Sequence, residues 1–135
     1  MRDRVFADSF FWIALLNSSD QHHDVSMDAA HEFSGSAYWT TEWILLEVGD
    51  ACCHSASLRD LATDFIRSSF VGGMTVVMAT PELWQRSLAL YERHSDKQWS
   101  LTDCLSFIVM RDNGITKALT GDRHFVQAGF DALIQ

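Results

Sequence analysis

Four acids, Asp8, Glu47, Asp103 and Asp122, sit where an ionised carboxylate is hard to explain as ordinary surface charge. Asp8 ends the apolar run Val5-Phe6-Ala7, and Asp122 follows the run Thr116 to Thr120 across Gly121. On a helix, Glu47 would have Trp43, Ile44, Val48 and Ala51 as neighbours, all of them apolar. Asp103 opens a segment whose later residues, Leu105, Phe107, Ile108, Val109 and Met110, are apolar around nearly the whole helical circumference. A carboxylate in such surroundings needs a cation, strong hydrogen bonds or a raised pKa, because an isolated charge in low dielectric is costly. Four of them together would repel one another, and a hard divalent cation resolves the conflict. Mg²⁺ or Mn²⁺ takes oxygen ligands and keeps water at open positions, so all four acids are candidate metal ligands and catalytic residues. His22 and His23 are adjacent in a polar stretch without H-x-x-x-H spacing, and no His/Cys set is clustered, which argues against zinc.

Each acid also has a structural explanation. Asp8-Ser9 would cap a following helix, Gly121-Asp122 would form a turn, Ser100-Leu101-Thr102-Asp103 has the form of a capping box, and Glu47 would pair with an arginine. Capping and metal binding are compatible at one helix end, so these explanations do not exclude a site.

The elements that would position the acids alternate between β-prone and helical segments. A strand over Val5 to Ala7 leads into a helix from Phe10 to Leu16, and a further helix over His22 to Phe33 leads to a strand over Ala37 to Thr40. Helices are expected over Thr41 to Cys53 and Leu58 to Phe70, then a strand over Met74 to Ala79 and a helix opened by Thr80-Pro81-Glu82. Ser100 to Asn113 is helical, Thr116 to Thr120 a fourth strand and Phe130 to Ile134 a fifth. This alternation predicts an α/β fold, a three-layer α/β/α sandwich around a mostly parallel sheet. Ligands in such sheets bind beyond the carboxyl ends of the strands, where Asp8 and Asp122 would project.

With 135 residues, 47% apolar and 21% charged, the chain suits one domain over 1–135, and no repeat or linker divides it. The N-terminal Met1-Arg2-Asp3-Arg4 and the apolar run Phe10 to Leu16 imitate a signal peptide. Asp3 and Asp8 interrupt the pattern, and the run is too short to span a bilayer, so a cytoplasmic protein is expected. Cys52, Cys53 and Cys104 form neither a C-x-x-C pair nor a disulfide framework and are expected to be reduced and buried. The net charge of −8 opposes the basic footprint of a nucleic-acid binder. Four acids gathered around cations would leave −4 on the rest and turn the site itself attractive to phosphate.

At these same residues the chain resembles the PIN-domain family, particularly the VapC-type toxin ribonucleases. Val5-Phe6-Ala7-Asp8-Ser9 is similar to the family's opening strand and first acid, and Thr41-Glu42-Trp43-Ile44-Leu45-Leu46-Glu47 to its T-x-x-x-x-x-E helix. Ser100 to Phe107 is similar to the helix of the third acid, and Leu119-Thr120-Gly121-Asp122-Arg123-His124-Phe125 to the closing T-x-D-x-x-F segment. The resemblance implies divalent-metal ribonuclease chemistry on an RNA substrate, homodimerisation, and inhibition by an antitoxin encoded alongside. Asp8, Glu47 and Asp103 match the core acids, Asp122 the fourth, and Thr120 a frequent hydroxyl near the site. Arg123, Lys117 and Arg111 are close to the acids in sequence and are expected as further substrate contacts.

Other functions fit less well. An aspartyl-phosphate phosphotransferase needs a second acid two residues after Asp8, where Phe10 stands, and a signalling receiver needs paired acids at the first strand, where Ser9 follows Asp8. A housekeeping PIN nuclease, or a silent PIN fold acting through protein contacts, remains the alternative to a toxin.

Overall fold

The computed structural model describes residues 2–135, and Met1, at the head of the charged N-terminal stretch, lies outside them. The chain runs β1 (Arg4–Ala7), α1 (Ser9–Leu16), α2 (His23–Glu32), β2 (Ala37–Thr41), α3 (Glu42–Ala51) and α4 (Ala56–Val71). It continues through β3 (Thr75–Val77), α5 (Pro81–Arg93), α6 (Leu101–Asp112), β4 (Lys117–Leu119), α7 (Arg123–Gln127) and β5 (Asp131–Ala132). The strands form one sheet in the order β3-β2-β1-β4-β5, with every neighbouring pair parallel.

The strand order dictates the layers. The chain steps outward from β1 to β2 to β3, then crosses back to β4 and steps outward to β5 on the other side. Parallel crossovers are right-handed, so reversing the direction of travel moves the connecting helices to the opposite face. The contacts divide accordingly: α1 packs with α2, α3 and α4, whereas α6 packs with α5 and α7. Val5, Phe6 and Ala7 of β1 are fully buried, as a strand covered on both faces must be.

Local chemistry sets the helix boundaries. Thr41, Ser55, Thr80 and Ser100 cap α3, α4, α5 and α6 by accepting the backbone N–H of Ile44, Leu58, Leu83 and Asp103. Every residue of α6 from Asp103 to Met110 is buried, confirming the central helix expected from its apolar circumference. Phe107 of α6 stacks edge-to-face on Phe125 of α7, with centroids 5.0 Å apart at 88°.

Three local expectations are revised. The strands β3, β4 and β5 are shorter than the β-prone runs 74–79, 116–120 and 130–134. No hydrophobic periodicity announces the single-turn helix α7, which Asp122 caps and the fully buried Phe125 anchors. Cys53 is exposed rather than buried, while Cys52 and Cys104 are buried, and all three are free thiols. Among the described residues, no helix is long and apolar enough to cross a membrane.

Candidate active site

The sheet reverses its direction of growth between β1 and β4, and the carboxyl ends of these two strands open the crevice where ligands bind in such folds. Phe6 is aligned with Ala118 and Ala7 with Leu119, and the Asp8 N–H donates to the Leu119 carbonyl at 3.3 Å. Asp8 and Thr120 therefore leave the sheet side by side. The Thr120 hydroxyl, fully buried, donates to Asp8 Oδ2 at 2.8 Å and accepts from the Asp122 N–H at 3.0 Å. One buried hydroxyl thus fixes both the first acid and the turn that carries the fourth. Gly121 lets this turn lie against Phe10, since a Cβ there would stand 2.6 Å from the ring's Cζ.

The structural explanations of the acids divide. Asp8 stands at the N-cap of α1 but makes no side-chain capping bond; its carboxylate is turned to Thr120 instead. Glu47 accepts from the Ser9 hydroxyl at 2.8 Å, which ties α3 to the start of α1. Asp103 does form the expected capping box: its N–H donates to Ser100 Oγ at 3.0 Å and its Oδ2 accepts from the Ser100 N–H at 3.1 Å. Asp122 caps α7, accepting the His124 N–H at 2.9 Å. Among the described residues, none of the four acids is ion-paired with lysine or arginine, so the arginine partner considered for Glu47 is absent.

The four acids share one electrostatic neighbourhood. Burial pushes the Asp8 carboxyl up to about 7 against the opposing Thr120 hydrogen bond, and the charges of Asp103 and Glu47 add to the rise. Burial also raises Glu47, where the Ser9 bond opposes and the charges of Asp103 and Asp122 reinforce the shift. Asp103 is raised by burial and by the Asp122 charge, against its Ser100 and His124 contacts. A cluster of carboxylates raised by desolvation and mutual repulsion, with all-oxygen donors at its core, fits a hard divalent cation.

The structure adds one residue. His124 Nδ1 lies 3.0 Å from Asp103 Oδ2 and 3.3 Å from Asp122 Oδ1, and the ligand atoms of these three side chains fall within 4.8 Å of one another. Its signal in the sequence was the spacing Asp122-x-His124, which returns the ring to the helix start when Asp122 is an N-cap. His22 and His23 serve elsewhere, His22 against the Phe10 ring and His23 on the Ala14 carbonyl.

The structure sets Lys117 and Arg111 apart from the acids and buries Thr120. Lys117 begins β4, about 10 Å along the strand from Thr120, and its ammonium is 3.9 Å from Asp3 at the opposite edge of the sheet. Arg111 lies about 12 Å along α6 from Asp103, donating to the Ala128 carbonyl at 3.1 Å and lying over the Phe130 ring. Thr120 is too buried to touch RNA and acts through Asp8 and Asp122. Arg123, exposed and next to Asp122, keeps a position open to a phosphate.

The model of the PIN domain matches residues 5–131, nearly the whole chain. The chain belongs to the PIN-domain family. This PIN domain is 31% identical to the 23S rRNA-specific endonuclease VapC20 of Mycobacterium tuberculosis, across 93% of this chain and 95% of the relative. Its fold superposes with a TM-score of 0.86 on the crystal structure of Mycobacterium tuberculosis VapC20, described as a sarcin-ricin loop cleaving toxin. That alignment is 24% identical and covers 97% of this chain and 99% of the other. The VapC-type resemblance, the α/β fold and the parallel sheet expected from the sequence are thereby borne out.

Proposed function

We propose that this PIN domain is the toxin of a VapBC-type pair: a divalent-metal-dependent endoribonuclease working in the cytoplasm and restrained by a cognate antitoxin. The observation that supports this reading is the mutual repulsion of Asp8, Glu47, Asp103 and Asp122, whose charges raise the carboxyls of Asp8, Glu47 and Asp103 beside the switch point of the sheet, with no lysine or arginine neutralising them among the described residues. These four acids would hold Mg²⁺ or Mn²⁺. When bound, such an ion supplies Lewis-acid stabilisation of a phosphodiester and a more acidic water. Ser9 and Thr120 orient Glu47 and Asp8 by donating hydrogen bonds, leaving the remaining carboxylate oxygens for ligation. Arg123 would bind a neighbouring phosphate and set the register of the RNA without reading its sequence.

The target named for the similar VapC20, 23S rRNA, is the first substrate to test. Purified protein is expected to cut it at a discrete position when Mg²⁺ or Mn²⁺ is added to chelator-treated enzyme, and to be silent in excess chelator. Full cleavage in chelator would contradict the reading. A short neighbouring gene for a DNA-binding antitoxin would separate the toxin from a housekeeping nuclease.

The protein is further proposed to act as a homodimer. Trp43 and Trp84 stack with centroids 4.3 Å apart, beside the exposed side chains of Leu46, Phe70 and Trp84. This contiguous apolar patch would be covered in a dimer. Trp39 lies outside the patch and has Arg4 over its ring. Light scattering at high micromolar concentration is expected to report a dimer, and Trp84→Glu a monomer. A wild-type monomer would reject this interface and leave the nuclease reading standing.

A further inference from the structure

We infer that His124 supplies a nitrogen ligand to the metal site and makes that site discriminate Mn²⁺ from Mg²⁺. The inference rests on the proposed four-acid cation site but concerns a residue outside it. His124 Nδ1 is 3.0 Å from Asp103 Oδ2 and 3.3 Å from Asp122 Oδ1, so one nitrogen faces two of the proposed ligands together. Neighbouring ligand atoms around an octahedral ion at about 2.1 Å stand roughly 3 Å apart, the same spacing. The three side chains come from two helices fixed by independent devices. Asp103 is locked in the α6 capping box, and Asp122 holds the His124 N–H at the start of α7.

The ring is also anchored from the rear of its helix. Phe125, the next residue, is fully buried against Phe6 and Phe107. The His124 side chain keeps 20% of its exposure, which leaves it open to an entering ion. Chemistry then sets the preference. Imidazole nitrogen is a good ligand for first-row transition ions, whereas Mg²⁺ strongly favours oxygen and water. With Nδ1 ligating, the proton resides on Nε2, the tautomer a metal-bound ring adopts.

Calorimetric titration and Mn²⁺ electron-nuclear double resonance on the full chain, labelled with ¹⁵N-histidine, test this. Wild type is expected to bind Mn²⁺ on the order of tenfold or more tighter than Mg²⁺ and to show ¹⁵N hyperfine coupling. His124→Asn is expected to lose the coupling and most of the Mn²⁺ preference, with Mg²⁺ affinity little changed. Saturable Mn²⁺ binding without nitrogen coupling in wild type would overturn the role of His124 while preserving the four-acid site. Equal losses of Mn²⁺ and Mg²⁺ affinity in the variant would also overturn it, showing that the ring merely orients Asp103 and Asp122. Absence of binding by either ion would overturn this inference and the metal reading together.

Discussion

Asp8→Asn is expected to abolish metal-dependent RNA cleavage, by a factor on the order of 10³ or more, while leaving the fold intact. Asparagine keeps the side-chain size and an oxygen to accept the Thr120 hydroxyl, the bond that fixes Asp8 in the structure. It removes the negative charge that a cation requires. Because Asp8 is buried and repelled by Asp103 and Glu47, the substitution is also expected to leave the metal-free melting temperature unchanged or slightly higher. With saturating Mn²⁺ the order reverses, since only wild type gains the full binding energy. Cleavage at the wild-type rate in saturating Mn²⁺ would remove Asp8 from the mechanism, and a global loss of structure would make its role architectural.

The second large effect is a stability that falls as pH rises in the metal-free protein. The Asp8 carboxyl titrates at about 7 in the folded state, against about 3.9 in an unfolded chain. Between these values the folded state holds a proton that the unfolded state has released, so raising pH favours unfolding. The contribution is complete below about pH 4 and lost as pH passes through 7, and the raised Glu47 and Asp103 act in the same direction. Chelator-treated protein is expected to melt roughly 5 °C or more higher at pH 5 than at pH 8. Saturating Mn²⁺ should shrink or reverse the difference, because the ion binds ionised carboxylates. Scanning calorimetry at both pH values checks this, and a metal-free melting temperature that rose from pH 5 to 8 would show that the acids are not mutually strained.

Much of the candidate site was legible because burial and charge conflicted in the sequence itself. Glu47 among Trp43, Ile44, Val48 and Ala51 posed that conflict openly, and so did Asp103 at the head of an apolar helix. The placement of Asp8 and Asp122 followed from strand order, since parallel sheets gather their ligands at carboxyl ends. Sequence proximity failed for Lys117 and Arg111, because three residues of strand or eight of helix carry a side chain some 10 Å or more away. Such residues end at the far side of the fold, beside Asp3 and Phe130. His124 escaped notice because its meeting with Asp103 spans 21 positions and depends on α7, too short to announce itself by periodicity.

The acidic charge of the chain also acquires a physical place. Bound divalent ions would convert the crevice at β1 and β4 from repelling to attracting phosphate, with Arg123 at its rim. RNA binding would then be coupled to metal binding.

Calorimetric titration of Mg²⁺ or Mn²⁺ into the chelator-treated protein at pH 7, repeated in buffers of different ionisation enthalpy, tests the central claim most directly. The expected result is saturable binding with net proton release, because Asp8 is partly protonated at that pH and must ionise to ligate. Asp8→Asn should weaken the binding and remove most of the released protons. No binding of either ion at millimolar concentration, or binding indifferent to Asp8→Asn, would contradict a cation site built from Asp8, Glu47, Asp103 and Asp122.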